Sequence, residues 1–181
     1  MKRMLMGAIG AIALSGTAQA ATLDFASLGF GPLGTNQATL PGAVISSFGN
    51  DLFVLGFGSG SICAATNGFC ATDMDISFTN PVSNLTFQSF GWDPGDTVLI
   101  TAYSGVIPVF STTIASDALV DFSFLGSISS LYFDDSSTGA GMAYGNFSFD
   151  TMTTPIPLPA SLPLLAAGLG VLGFMRRRKT A

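Results

Sequence analysis

Apolar and polar residues alternate along most of the chain between residues 22 and 150. Residues 74–79 show the pattern most clearly, because Met74, Ile76 and Phe78 alternate with an aspartate, a serine and a threonine. Successive side chains of a β-strand point to opposite faces, so a period of two predicts half-buried strands. The strands predicted in this way are 22–26, 43–48, 52–57, 74–79, 85–90, 97–103, 106–112, 120–124, 127–133 and 143–150.

Clusters of Gly, Asn, Asp and Pro separate these strands. Examples are 49–51, the pair Asn80-Pro81, which is expected to end a strand, and the acidic turn 91–96. About ten short strands with frequent turns predict an all-β domain, most simply a jelly-roll-like β-sandwich, with a closed barrel as the alternative. The sixteen Phe residues suit a core in which aromatic pairs fill the space between sheets.

The N-terminus departs from the strand pattern. A short positive region, Met1-Lys2-Arg3, precedes the apolar residues 4–14, and small residues then lead up to Ala20. This order is typical of a secretory signal peptide, so residues 1–20 are predicted to form an apolar helical segment that signal peptidase removes after Ala20.

The C-terminus departs from it as well. A proline-rich stem at 155–163 precedes an uncharged apolar run at 164–175. A helix that includes residues back to Ile156 is long enough to span a bilayer, which takes about 20 residues. The run ends in a basic stop that consists of Arg176, Arg177, Arg178 and Lys179. By the positive-inside rule these residues stay in the cytoplasm, which places the preceding domain outside.

The stem also contains Ile156, Pro157, Leu158, Pro159 and Ala160. Followed by an apolar segment and a basic end, this stretch resembles the sorting signal of PEP-CTERM proteins, in the variant whose motif is Val-Pro-Leu-Pro-Ala. The resemblance implies processing by an exosortase-type membrane protease, removal of the tail, and delivery to the cell surface or extracellular matrix. A plain C-terminal membrane anchor is the alternative interpretation.

The remaining domain, residues 21–154, has an unusual charge inventory. All six Lys and Arg residues lie in the two terminal segments, all eleven acidic residues are Asp within the domain, and the chain has no His or Glu. The domain side chains therefore carry a formal charge of 0 − 11 = −11. Nucleic acid is not an expected partner, because phosphate binding requires Lys or Arg.

The two cysteines, Cys63 and Cys70, flank a short segment that contains Asn67-Gly68. In an exported protein, such a close pair predicts a disulfide, here one that staples a loop between strands.

Ligand binding has its main candidates in the acidic turn, and two further acidic pairs, Asp73 with Asp75 and Asp134 with Asp135, could also offer carboxylates to a cation. Asp93 and Asp96 could offer carboxylates to Ca²⁺, although Asp also begins turns by bonding its own backbone. Trp92, the only tryptophan, could stack on a sugar ring, although it could equally pack at the edge of the domain.

Catalysis is not expected from this composition. A serine triad lacks its imidazole, and the domain has no Lys, Arg or Glu. A glycosidase with two paired Asp residues is the one enzymatic possibility left open. The sequence therefore predicts an exported structural or adhesive protein of the surface or exopolysaccharide matrix. Its alternative is a carbohydrate-binding module with a Ca²⁺-dependent turn.

Overall fold

A computed structural model describes residues 19–137 and 139–151 of the chain. This part is built from strands, with a single 3-10 helix at Phe25–Leu28, so the all-β prediction is confirmed. The strands are β1 (Gln19–Thr22), β2 (Gly31–Pro32), β3 (Gln37–Leu40), β4 (Ala43–Ser47), β5 (Asp51–Leu55), β6 (Ser61–Thr66), β7 (Phe69–Thr72), β8 (Met74–Phe90), β9 (Val98–Ser104), β10 (Ile107–Ile114), β11 (Leu119–Phe122), β12 (Ile128–Asp135) and β13 (Ala143–Thr151).

Antiparallel hydrogen bonding joins all of these strands into one sheet. Its main path runs β10-β9-β12-β8-β13-β6-β5-β2, while β1, β3, β4, β7 and β11 pair off this path. The sequence predicted a sandwich of two sheets, and the strands instead form one continuous sheet. The alternative of a closed barrel is not formed either, because β10 and β2 end the path without pairing with each other.

The long strand β8 explains this continuity. Its first part pairs with β4 and β12, whereas its second part pairs with β11 and β13. The predicted break at Asn80-Pro81 is wrong, since β8 runs through it. Pro81 is tolerated because the pairing with β4 ends at Phe78 and the β12 register shifts between Ser77 and Val82, so no ladder bond is needed there.

One aromatic core lies between the two parts of the sheet. Phe87, fully buried on β8, stacks on Phe147 of β13 with ring centroids 4.8 Å apart and meets Phe133 of β12 edge-on at 5.8 Å. Phe78 and Phe149 make a similar contact at 5.2 Å. The apolar faces of the strands on either side of β8 therefore pack against each other, as the Phe content predicts.

Several strand predictions need correction. The predicted strand 22–26 is instead the end of β1 followed by the 3-10 helix, whose Phe25 is buried against Phe147 at 5.7 Å. The alternation pattern also missed β2, β3, β6 and β7. Strand β6 shows why, because five consecutive residues from Ser61 are buried and the period of two disappears where both faces are covered.

Both termini of the described domain lie at the same end of β13. Gln19 of β1 pairs with Thr151, and Ala20 pairs with Asp150. The predicted signal peptide therefore shares Gln19 and Ala20 with β1, while its other residues lie outside the described part. The predicted membrane helix 164–175, the sorting motif and the basic stop also lie outside it. Within residues 19–137 and 139–151, no helix has the length and apolarity needed to cross a membrane.

Candidate functional site

The candidate residues of the acidic turn lie at the end of the domain opposite to its termini. Ala143, which begins β13, pairs with Phe90 of β8, whereas Thr151, which ends β13, pairs with Val82. Nine strand residues span about 26 Å at the usual rise. We call the end with Gln19 and Thr151 the terminal end, and the end with Phe90 and Ala143 the loop end. The predicted ligand contact Trp92 follows Phe90 directly and thus belongs to the loop end.

An open cavity of about 380 Å³ at the loop end is lined by Trp92, Phe57 and Phe90, with Asp93 at its side. Phe57 and Phe90 stack with ring centroids 5.8 Å apart and an interplanar angle of 16°. Trp92 is 39% exposed and Phe57 is 44% exposed. The cavity thus presents aromatic faces to solvent beside an exposed carboxylate, which is a surface suited to a ligand with both apolar faces and hydroxyl groups.

Backbone contacts fix the position of Trp92. Its own N–H donates a hydrogen bond of 2.9 Å to Oδ1 of Asp117, and the next turn is closed by a bond of 3.0 Å from the Asp96 N–H to the Asp93 carbonyl. Gly91 precedes it with φ +82°, a left-handed conformation that favours glycine. The aromatic side chain is therefore held by a constrained turn and not by a flexible loop.

The two predicted metal ligands of this turn do not converge. Asp93 is exposed, whereas Asp96 is 1% exposed, and Oδ2 of Asp96 accepts a bond of 3.0 Å from the Asp93 N–H. The pair therefore forms a turn in which one carboxylate bonds the backbone of the other residue. Across residues 19–137 and 139–151, no group of three or more Asp or Cys side chains is placed to hold a metal ion.

A second acidic group lies around Asp96 and includes one residue from each of the other two acidic pairs noted in the sequence, Asp73 and Asp135. Asp135 ends β12, and its N–H donates a bond of 3.0 Å to Oδ1 of Asp73, whose Oδ2 accepts a bond of 2.8 Å from the Tyr132 hydroxyl. Among the described residues, four buried side-chain oxygens have no hydrogen-bond partner, and three of them are Oδ1 of Asp96, the Tyr144 hydroxyl and Oγ1 of Thr72. No linear motif joins these residues, because they come from four different parts of the sheet.

The electrostatics of this group are those of uncompensated negative charge. Burial raises the pKa of Asp135; two hydrogen bonds from Ser137 lower it, and the carboxylates of Asp96 and Asp73 raise it further. Burial, followed by the charges of Asp135 and Asp96, raises the pKa of Tyr144 well above its ordinary value. Burial and the bond to Asp73 raise the pKa of Tyr132 to about 12. The backbone brings these residues together, because the Thr97 carbonyl accepts the Ser136 N–H and so holds Asp96 beside the end of β12. Tyr144 packs on Phe133 of β12 with ring centroids 4.3 Å apart.

The disulfide between Cys63 and Cys70 is present, as the spacing predicts. It does not staple a loop between strands, however, because Cys63 lies in β6 and Cys70 in β7, which form a hairpin. Cys70 also lines the Trp92 cavity and bridges Gly141, where any Cβ would collide with the Cys70 backbone. The disulfide therefore supports one wall of the cavity.

The C-terminal segment lies outside the described residues and is characterised by comparison. Residues 155–179 match the PEP-CTERM protein-sorting motif. The predicted resemblance is thereby confirmed for this segment, which includes Ile156, Pro157, Leu158, Pro159 and Ala160 and the basic stop. The sorting motif marks an exported protein that an exosortase processes on its way to the cell surface. No curated protein matches the chain significantly.

Proposed function

We propose that this chain is a non-enzymatic structural or adhesive protein of the cell surface or extracellular matrix. In this proposal signal peptidase removes residues 1–20, the exosortase processes the tail near residues 156–160, and the folded domain binds extracellular polysaccharide at the Trp92 cavity. The observation that carries the binding role is the exposed aromatic surface of Trp92 and Phe57 beside Asp93.

The chemistry of the cavity favours a neutral or cationic glycan. Apolar faces of sugar rings stack on aromatic side chains, and a carboxylate accepts hydrogen bonds from hydroxyl groups. A strongly anionic polymer would be repelled, because the domain side chains carry eleven negative charges and no positive ones. The expected ligand is therefore a polysaccharide without a high density of carboxylate or sulfate.

The position of the cavity suits an adhesive role. The chain leaves the domain at the terminal end, where Thr151 precedes the sorting motif by a few residues. The Trp92 cavity lies at the loop end, about 26 Å away along β13. A polysaccharide can thus be bound at the end of the domain that is farthest from the point where the tail begins.

A larger cavity, of about 550 Å³, is a weaker candidate for the same ligand. Its lining includes Asp24, Ser59 and Asn146, and the one aromatic residue in its wall, Phe147, is fully buried. Asn146 is already engaged, because its Oδ1 accepts bonds from the N–H and hydroxyl of Ser59. This cavity offers no exposed aromatic face for a sugar ring.

The binding role is tested with Trp92 fluorescence, which reports on this site alone because the chain has no other tryptophan. Full-length protein is titrated with a neutral polysaccharide such as dextran, xylan or soluble cellulose, and with the matrix polysaccharide of the producing cells. We expect a saturable change in emission and retention on the immobilised polymer. The Trp92→Ala and Phe57→Ala variants should lose retention.

The matched control is Phe30→Ala, which removes an aromatic side chain that is 67% exposed and does not line the cavity. Retention should survive this change. If no polymer alters the emission of Trp92, or if the Phe30 variant loses retention as fully as the Trp92 variant, the polysaccharide role is wrong. The domain would then be a structural component without this ligand.

A further inference from the structure

Two buried side chains of the acidic group around Asp96 lack the partners that buried polar atoms require. Asp96 is 1% exposed, and only its Oδ2 accepts a hydrogen bond. Tyr144 is 2% exposed, and its hydroxyl has no partner. An unpaired buried charge costs several kcal/mol, so carboxylates in such places are normally paired with a cation.

This domain has no side chain that could supply the cation. Residues 21–154 contain no Lys, Arg or His. Asp135 pairs with Val98, two residues after Asp96, and its N–H donates to Asp73, so further carboxylates and not cations lie near Asp96. Hydrogen bonds stabilise the other two carboxylates. Asp135 accepts from the Ser137 N–H, and Asp73 accepts from the Tyr132 hydroxyl and from the Asp135 N–H. None of these donors reaches Oδ1 of Asp96.

Oδ1 of Asp96 lies beside a glycine-rich segment. A Cβ at Gly139 would lie 3.1 Å from Oδ1 of Asp96, so the backbone of this segment passes directly beside the carboxylate. Gly141, two residues later, is bridged to Cys70 of β7. Backbone carbonyls are ligands that Ca²⁺ commonly combines with carboxylates to reach six to eight oxygens, and Tyr144 offers another neutral oxygen.

We propose that Asp96 and Asp135, with the Tyr144 hydroxyl, bind one divalent cation of the Ca²⁺ type, and that Asp73 supports the site from its far side. The site uses two carboxylates and neutral oxygens, so it is compatible with the absence of a three-carboxylate cluster from the described residues. It differs from the pair expected from the sequence, because Asp93 is exposed and contributes only backbone atoms to the turn. It is also independent of polysaccharide binding.

The test measures the thermal unfolding of full-length protein in detergent after treatment with EDTA. CaCl₂ is added to one sample and NaCl of the same ionic strength to another. We expect Ca²⁺ well above its Kd to raise Tm by about 5 °C, whereas NaCl has a smaller effect. Calorimetric titration with CaCl₂ should show one site per chain.

Variants then locate the site. Asp96→Asn and Asp135→Asn should abolish the Ca²⁺-dependent rise in Tm. Asp134→Asn is the matched control, because Asp134 is the exposed neighbour of Asp135 and successive strand residues point to opposite faces. It should keep the full rise, and so should Asp93→Asn. If the Asp96 and Asp135 variants do not fold, Tyr144→Phe removes a single oxygen and should weaken the calorimetric Kd several-fold.

Three results would overturn the proposal. The first is a wild-type protein whose Tm does not respond to Ca²⁺ and which shows no calorimetric binding. The second is an equal rise in the Asp96 and Asp134 variants, which would mean general screening of the acidic surface. The third is loss of the Ca²⁺-dependent rise in Tm in Asp93→Asn alone, which would mean that the cation binds at the exposed turn.

Discussion

The terminal end and the loop end of the domain differ in what they contain. At the terminal end, β1 and β13 pair through regular backbone bonds, and the chain continues from β13 toward the sorting motif at residues 155–179. At the loop end, the structure gathers Trp92, the disulfide, the buried carboxylate of Asp96 and the partly buried carboxylate of Asp135. Attachment and ligand chemistry are thus separated along β13.

This separation has a physical basis in the sheet. At the terminal end, β1 and β13 satisfy each other's backbone groups, so these groups are not available to a ligand. Turns at the other end carry Asp and Gly residues whose side chains and backbone are free to form a concave surface. Changes at one end should therefore leave the other unaffected, which the following predictions test in order of decreasing effect.

The largest effect is expected from the sorting motif. Replacing Pro157 and Pro159 by Ala should abolish exosortase processing, because the residues that define the motif are removed. The intact mass of the cell-bound protein should then extend to Ala181 instead of ending near Ala160. Intact mass is the suitable measurement, since no Lys or Arg lies between Arg3 and Arg176 for trypsin to cleave.

The matched control for this change is Pro163→Ala, which alters the same stem outside residues 156–160. It should be processed normally, and the Tm response to Ca²⁺ should be unchanged in both variants. Normal processing of the double variant would show that the two prolines are not what the protease recognises.

The next effect concerns the core that connects the two ends. Phe87→Ala should lower the free energy of unfolding by about 3–5 kcal/mol, because Phe87 is fully buried among four aromatic rings. Urea unfolding monitored by Trp92 fluorescence measures the loss. The exposed Phe30→Ala should change it by less than about 0.5 kcal/mol. A loss for Phe87 no larger than that for Phe30 would contradict the single core.

A smaller effect is expected at the loop end from the disulfide. Changing Cys63 and Cys70 together to Ser should cost about 2–3 kcal/mol, the chain-entropy value for so short a loop. Polysaccharide retention should weaken as well, because Cys70 lines the cavity. The control is reductant, which should destabilise the wild type and leave the double variant unchanged. Equal sensitivity of both proteins to reductant would refute the assignment.

The smallest effect is a pH dependence that arises from Asp75. Burial raises the pKa of Asp75 more than its bond from Ser77 lowers it. The folded state therefore holds this proton more tightly than the unfolded state, so its contribution to stability is lost as pH rises through the folded pKa. The free energy of unfolding of Asp75→Asn should therefore fall less between acid and neutral pH than that of the wild type.

Asp121 provides the contrast for this measurement. Hydrogen bonds from Ser123 lower its pKa, so its contribution to stability is present at neutral pH and is lost as pH falls through the folded pKa. Chemical unfolding at several pH values should give changes of opposite sign in Asp75→Asn and Asp121→Asn. Changes of the same sign would mean that the overall charge, and not these local contacts, controls the pH dependence.

The class of the fold could be predicted from the sequence, but the pairing of its strands could not. The alternation at Met74, Ile76 and Phe78 correctly indicated a strand, because the period of a half-buried strand is local. The continuation of β8 through Pro81 depended on which neighbours pair there, and that is decided by distant strands. Strand β6 was missed because both of its faces are covered by residues far away in the chain.

The candidate sites divide in the same way. Trp92 and Asp93 were found from a short turn motif, and the structure adds Phe57 and Phe90 to them. Asp73, Asp135 and Tyr144 were separate candidates in the sequence, but their grouping around Asp96 could not be found, because distant strands bring them together. The single available signal was the absence of any positive side chain to compensate a buried Asp.

The sequence alone determined the C-terminal sorting signal, the disulfide and the all-β class of this protein. A protease recognises a continuous stretch such as residues 156–160, two close cysteines need only a hairpin, and strand periodicity is a property of neighbouring residues. The tertiary structure decided the single continuous sheet, the separation of the two ends and the burial of Asp96. These depend on contacts between residues far apart in the chain, because burial and charge compensation are properties of a packed environment and not of a segment.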